Sequence, residues 1–238
     1  MKLYHIYDKV GSVMIKTKYI FDDFSDISNA WLGNDMVDSG TLALVADTVI
    51  QQKMSHISVP VDLVANLWPW VEGKNIKILT RFNFVPDSEK SLDIIISDLA
   101  RDIMSGFRRG ASGAQIYVPL SDLQSFVSEI KPIRDDLFFD KEFSLVINID
   151  EINSGDDWNA IFEHVRIVNP DSVLITSGKE KFDASSDFVG RIYAMLEHWD
   201  LNAKLFFLFG KNMMQLQQAI RLTHKMQPNL SPEIYVAL

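Results

Sequence analysis

Cysteine does not occur in this 238-residue chain. Its absence excludes a disulfide scaffold, a thiol nucleophile and thiolate metal sites, and it suits a reducing, cytoplasmic setting. Cationic excess is missing too. Lys and Arg number 23 against 32 Asp and Glu, a net charge of −9. Nucleic acids and anionic membranes attract the opposite sign, so neither is expected as the main partner. No apolar run reaches membrane-spanning length. Met1 to Val10 holds Tyr, His, Asp and Lys, unlike a signal peptide. The five histidines (His5, His56, His164, His198 and His224) are scattered without metal-ligand spacing. Neither a metal nor a cofactor is therefore expected.

The hydrophobic fraction of 47% is that of a globular protein with a sizeable core. A chain of this length fits one domain over residues 1–238, since barrels of this size are commonly single domains. Residues 1–25 read as an N-terminal extension. Lys2 to Val10 and Val13 to Ile20 are β-rich runs around Gly11-Ser12, a favoured hairpin turn.

Farther along, Trp31 and Leu32 suggest a short strand, and Thr41 to Gln52 a helix with Leu44, Val45 and Thr48 on one side. The pattern then becomes regular. Strands are expected at His56 to Val59, Ile76 to Phe82, Gln115 to Val118, Phe143 to Ile149, Ser172 to Ile175, Leu205 to Phe209 and Glu233 to Ala237. Helices are expected between them, at Val61 to Val71, Ser88 to Arg109, Ser121 to Ile130, Trp158 to Val168, Ser186 to His198 and Asn212 to Met226. Such alternation implies parallel β-α-β units. No glycine-rich dinucleotide loop follows the first strand. The pattern therefore predicts a (β/α)8 TIM barrel rather than a doubly wound sheet, incomplete at the last helix.

Pro170 to Lys179 organises the site prediction. A buried strand opens there into Thr176-Ser177-Gly178-Lys179, at the end where α/β proteins bind ligands. Two hydroxyls, a glycine and a lysine suit an anion such as phosphate. The same four residues also read as a plain hydrophilic loop.

Several segments resemble the deoxyribose-phosphate aldolase family in order along the chain. Ile57-Ser58-Val59-Pro60 and Lys74 to Phe84 are similar to its second and third strands, and Gly110 to Pro119 to its fourth. Val146 to Ile152, including Glu151, is similar to the fifth, and Asp171 to Lys179 to the sixth with one residue missing. The resemblance spans roughly Thr41 to Leu222 and implies a class I aldolase on a TIM barrel. It also implies a Schiff-base lysine on the sixth strand, a second lysine on the seventh that lowers the first one's pKa, and a proton-transferring aspartate on the fourth. Aligned this way, those positions fall on Ile175, Phe207 and Gln115, none of which can do that chemistry.

The implied phosphate site is partly kept. Gly178 and Lys179 match it, joined by Thr176 and Ser177, and Gly210 and Lys211 follow the seventh strand. The favoured expectation is thus an aldolase-like barrel that has lost Schiff-base activity. It would bind a small anionic or phosphorylated metabolite or a protein partner, and a homo-oligomer is compatible with it. The alternative is an active lyase using a relocated lysine, Lys179 or Lys211. A third reading is an enzyme of another class built from Arg81, Asn83, Gln115, Asn148, Asp150 and Thr176, all expected near strand C-terminal ends. A mouth plugged by Ile175 and Phe207 would instead favour a structural role.

Overall fold

The computed structural model describes residues 27–33, 39–152, 155–177, 188–209 and 213–237. Eight parallel strands close into a barrel in chain order. They are β1 (Ile27–Trp31), β2 (His56–Pro60), β3 (Lys77–Asn83), β4 (Gly113–Tyr117), β5 (Glu142–Asn148), β6 (Ser172–Thr176), β7 (Lys204–Phe209) and β8 (Glu233–Ala237). Helices α1 (Ser39–Gln51), α2 (Val64–Val71), α3 (Leu92–Arg108), α4 (Leu123–Leu137), α5 (Gly155–Val168), α6 (Phe188–His198) and α7 (Met213–Met226) follow the first seven strands in turn. Among the described residues no helix follows β8, and no helix is long and apolar enough to cross a membrane. The N-terminal hairpin expected in residues 1–25 lies outside the described residues.

Alternation along each strand divides the core in two. One set of strand residues, including Ile116, Ile147, Val173, Ile175, Leu205, Phe207 and Ile234, packs with helical side chains such as Trp158, Phe162, Val165 and Ile192. The other set forms a separate cluster inside the barrel: Leu79, Val146, Leu174, Phe206, Leu208 and Tyr235, with Trp31 and Tyr117 against it. Inward side chains of this kind form a packed layer of the barrel interior.

Three local expectations change. On α1 the buried stripe is Leu42, Val45, Ala46 and Val49, while Leu44 is 52% exposed and Thr48 Oγ1 donates to the Leu44 carbonyl at 2.8 Å. Helix α3 starts four residues later than Ser88. The Asp87 carboxylate accepts from the Glu89 N–H at 2.9 Å and fixes a turn there. Helix α4 runs through Pro132 to Leu137 rather than stopping at Ile130. Pro132 and Ser128 are both exposed, so the Ser128 carbonyl released by the missing N–H meets water.

The N-terminal floor of the barrel is an ionic cluster. Glu142 accepts from Lys77 Nζ at 3.0 Å and lies 3.3 Å from His56 Nε2. His56 Nδ1 lies 2.8 Å from Asn29 Oδ1, and Asn29 Nδ2 donates to Glu233 at 3.2 Å. Burial alone would raise the Glu142 pKa, but hydrogen bonds and charge from His56 and Lys77 outweigh it and hold the carboxyl at about 2. A depressed carboxyl stabilises the fold above its ordinary value near 4.5, and that contribution fades as pH falls toward about 2. Urea unfolding between pH 2 and pH 7 should therefore show an acid limb that flattens in Glu142→Gln. At neutral pH the variant should lose about 1–3 kcal/mol. Parallel wild-type and variant curves would remove the cluster from the account.

Candidate functional site

The C-terminal mouth of the barrel gathers polar side chains from five strands. Arg81 leaves β3 and lays its guanidinium over the Trp31 ring of β1, 4.1 Å from the centroid. Desolvation lowers the Arg81 pKa to about 9, which leaves it a cation near neutrality. A guanidinium over an indole is a cation–π pair, and its planar fork of N–H groups matches the geometry of planar anions.

Beside it lies a carboxylate network. Asn148 ends β5, and its Oδ1 accepts from the Asp150 N–H at 3.1 Å, opening a single 3-10 turn at Ile149–Glu151. That turn presents Asp150 and Glu151. Glu151 accepts from the Tyr117 hydroxyl of β4, from the Leu120 N–H at 3.0 Å and from Asn148 Nδ2 at 3.2 Å. Burial first, then the Glu151 hydrogen bond and charge, push the Tyr117 phenol well above its ordinary value. Arg191 of α6 clamps the turn from behind, donating to the Ile149 and Ile152 carbonyls at 2.9 and 2.8 Å. The sequence reading selected Asn148 and Asp150 but gave no role to Trp31, Tyr117 or Arg191. Their partners are distant in sequence, and only Glu151 carried a signal, through the fifth-strand resemblance.

Ile175 and Phe207 do not line the lumen. Both belong to the layer between sheet and helices, and the neighbouring residues Leu174, Phe206 and Leu208 face the lumen. A lysine meeting a substrate inside the barrel would have to occupy an inward position such as these. A shift of one residue along a strand swaps the two faces, and the gap assumed in Asp171 to Lys179 makes that shift. Aligned without it, the sixth-strand lysine position falls on Leu174. Ile175 and Phe207 therefore do not form the plug that would have favoured a structural role.

Gln115 does face inward, but at mid-depth rather than at a strand end. Its Oε1 accepts from Ser58 Oγ at 2.6 Å, and it is buried. Thr176 and Ser177 are buried at the end of β6, where Ser177 Oγ donates to Asp150 at 2.9 Å. A carboxylate on that hydroxyl opposes an anion at the same spot. Asn83 is exposed at the end of β3. Gly178, Lys179, Gly210 and Lys211 lie outside the described residues. Lys77 and Lys204 start β3 and β7, on the floor and away from the mouth. No metal-holding group of His, Asp and Glu occurs among the described residues.

The chain matches no protein-family model and no curated protein. It is similar in structure to a Coccidioides immitis protein assigned as a deoxyribose-phosphate aldolase. The TM-score is 0.67 at 11% identity, over 88% of this chain and 80% of that one. It is also similar to the aldolase QR15, at TM-score 0.65 and 12% identity over 91% and 92% of the chains. The tetrameric deoxyribose phosphate aldolase of Aeropyrum pernix matches at TM-score 0.64 and 8% identity, over 87% and 83%. At such identities the likeness establishes the TIM-barrel fold.

Proposed function

We propose that this chain is a single-domain, cytoplasmic, aldolase-like barrel that has lost Schiff-base chemistry and binds a small phosphorylated or carboxylated ligand at its mouth. The observation that carries this reading is the lining of the lumen. Leu174 and Phe206 occupy the inward positions of β6 and β7, while the described cation of the upper lumen is the guanidinium of Arg81. A guanidinium forms no imine, but it suits two anionic oxygens at once. Arg81 and Trp31 are the core of the proposed site. Asn148 and Thr176 flank it, and Gly178, Lys179, Gly210 and Lys211, which follow β6 and β7 in the sequence, are the further candidate contributors.

Calorimetric titration with deoxyribose 5-phosphate and with inorganic phosphate tests the reading. Loss of a charge-assisted hydrogen bond costs about 1.5–3 kcal/mol, so Arg81→Gln should weaken binding roughly tenfold or more. Equal affinity in wild type and Arg81→Gln would sink it. The relocated-lysine reading, with Lys179 or Lys211 as nucleophile, predicts a different result. Borohydride would trap an adduct on one of those lysines in the wild-type protein. The structural likeness to a tetrameric aldolase supports a homo-oligomer as the state to look for in solution.

A further inference from the structure

We propose that the barrel interior, below the mouth, holds ordered water bound by Gln115 Nε2, Ser144 Oγ, Ser172 Oγ and the Tyr235 hydroxyl. All four side chains are at most 1% exposed. None of these four atoms has a hydrogen-bond partner among the described residues. Buried polar atoms are nearly always satisfied, and an orphan set on one face signals a bound molecule.

The four belong together. Gln115 stands opposite Ser144 across β4 and β5, and Ser144 opposite Ser172 across β5 and β6. Tyr235 enters from β8 among Leu79, Val146, Leu174 and Phe206. Burial raises the Tyr235 phenol well above its ordinary value and the charges of Glu142 and Glu233 add to that, while a hydrogen-bonding contact with Gln115, outside good geometry, opposes it. Ser58 donates to Gln115 Oε1, which turns the amide nitrogen away from Ser58. If the amide is flipped, its oxygen offers the Tyr235 hydroxyl an acceptor, and the hydroxyls of Ser144 and Ser172 still lack protein partners.

The chemistry selects water. The amide donates, while the three hydroxyls both donate and accept. A cation would be refused by the amide N–H groups. An anion would want positive charge, and the floor cation Lys77 already faces Glu142. A neutral molecule that donates and accepts fits, and a buried water makes about three such bonds. The two serines and Gly113 also occupy inward positions where barrel layers ordinarily carry bulky branched side chains.

Thermal unfolding of Ser144→Ala, Ser172→Ala and the double variant, with water–amide NOE spectra of the wild type, tests the site. If water is bound, removing its partners weakens the fold. The double variant should then melt lower by about 2–4 °C or more. The wild-type amides of residues 144 and 172 should also show cross-peaks to long-lived water. In a dry interior the hydroxyls are unsatisfied, and alanine would raise the midpoint instead. A raised or unchanged midpoint overturns the proposal. So does the absence of water cross-peaks in the wild type, whichever way the variants melt.

Discussion

Leu174→Lys should give a borohydride-trapped adduct with acetaldehyde, while Ile175→Lys and the wild type should give none. Leu174 is fully buried inside the barrel against Leu79, Val146 and Phe206. An amine placed there is desolvated, which favours its neutral, nucleophilic form. Ile175 packs into the layer under the helices, where a lysine is equally buried but turned away from any aldehyde entering the lumen. Both variants should lose stability on the order of a few kcal/mol, because each sets a basic group among apolar neighbours. Intact mass after reduction separates them. An adduct on Ile175→Lys alone would return the family alignment to its gapped form and reverse the face assignment. Neither single variant should cleave deoxyribose 5-phosphate at speed, since Gln115 has no proton to exchange near neutral pH. The fairer test of ancestry is the triple change Leu174→Lys, Phe206→Lys and Gln115→Asp.

Gly113→Ala should be the most damaging small substitution, costing about 3 kcal/mol or more. A methyl group at Gly113 would stand 2.4 Å from the Glu142 carbonyl oxygen, 2.7 Å from Glu142 Cβ and 2.8 Å from Leu79 Cδ2. The first of these is backbone, and it belongs to the residue paired with Gly113 across β4 and β5. Relief requires the two strands to part, which also pulls Glu142 from Lys77 and His56. For a chain of this size the melting midpoint should fall by roughly 6–12 °C. Gly33→Ala is the control, because nothing among the described residues lies within 4 Å of its added methyl. Equal midpoints for the two variants would show that β4 and β5 separate easily.

The barrel was legible because strands buried on both faces are continuous apolar runs. Leu145-Val146-Ile147 and Val173-Leu174-Ile175 mark themselves without reference to partners. That same property hid the inward face. In a strand apolar on both sides nothing in the residue types distinguishes Leu174 from Ile175, so a one-residue gap went undetected. The amphipathic helices were easier. Trp158, Ile161, Phe162 and Val165 are buried as their spacing predicts. Helix α1 failed because Leu42, Leu44, Val45, Ala46 and Val49 allow two stripes, and only packing on the neighbouring elements selects one. At the mouth, Arg81, Asn148 and Asp150 were recognisable as polar residues near strand ends. The stacking of Arg81 on Trp31 joins β3 to β1, and the tie from Tyr117 to Glu151 joins β4 to the turn after β5. Neither contact leaves a local trace in the sequence.

The hydrogen bond between Asn29 and Glu233 joins residues 204 positions apart, at the seam where β1 meets β8. Every other seam joins strands that are consecutive in the chain. Loop-closure entropy grows with the length of chain enclosed, so this seam is the costliest to form and is expected to close last. Until it does, β1 has β2 as its sole neighbour, through the short pairing of Asn29, Ala30 and Trp31 with His56, Ile57 and Ser58. An open form with β1 detached would expose the free edges of β2 and β8 together, a template for pairing with a second chain. The vulnerable period in the life of this protein is therefore its folding, and the last ring contact to form is the one that removes the exposed edges.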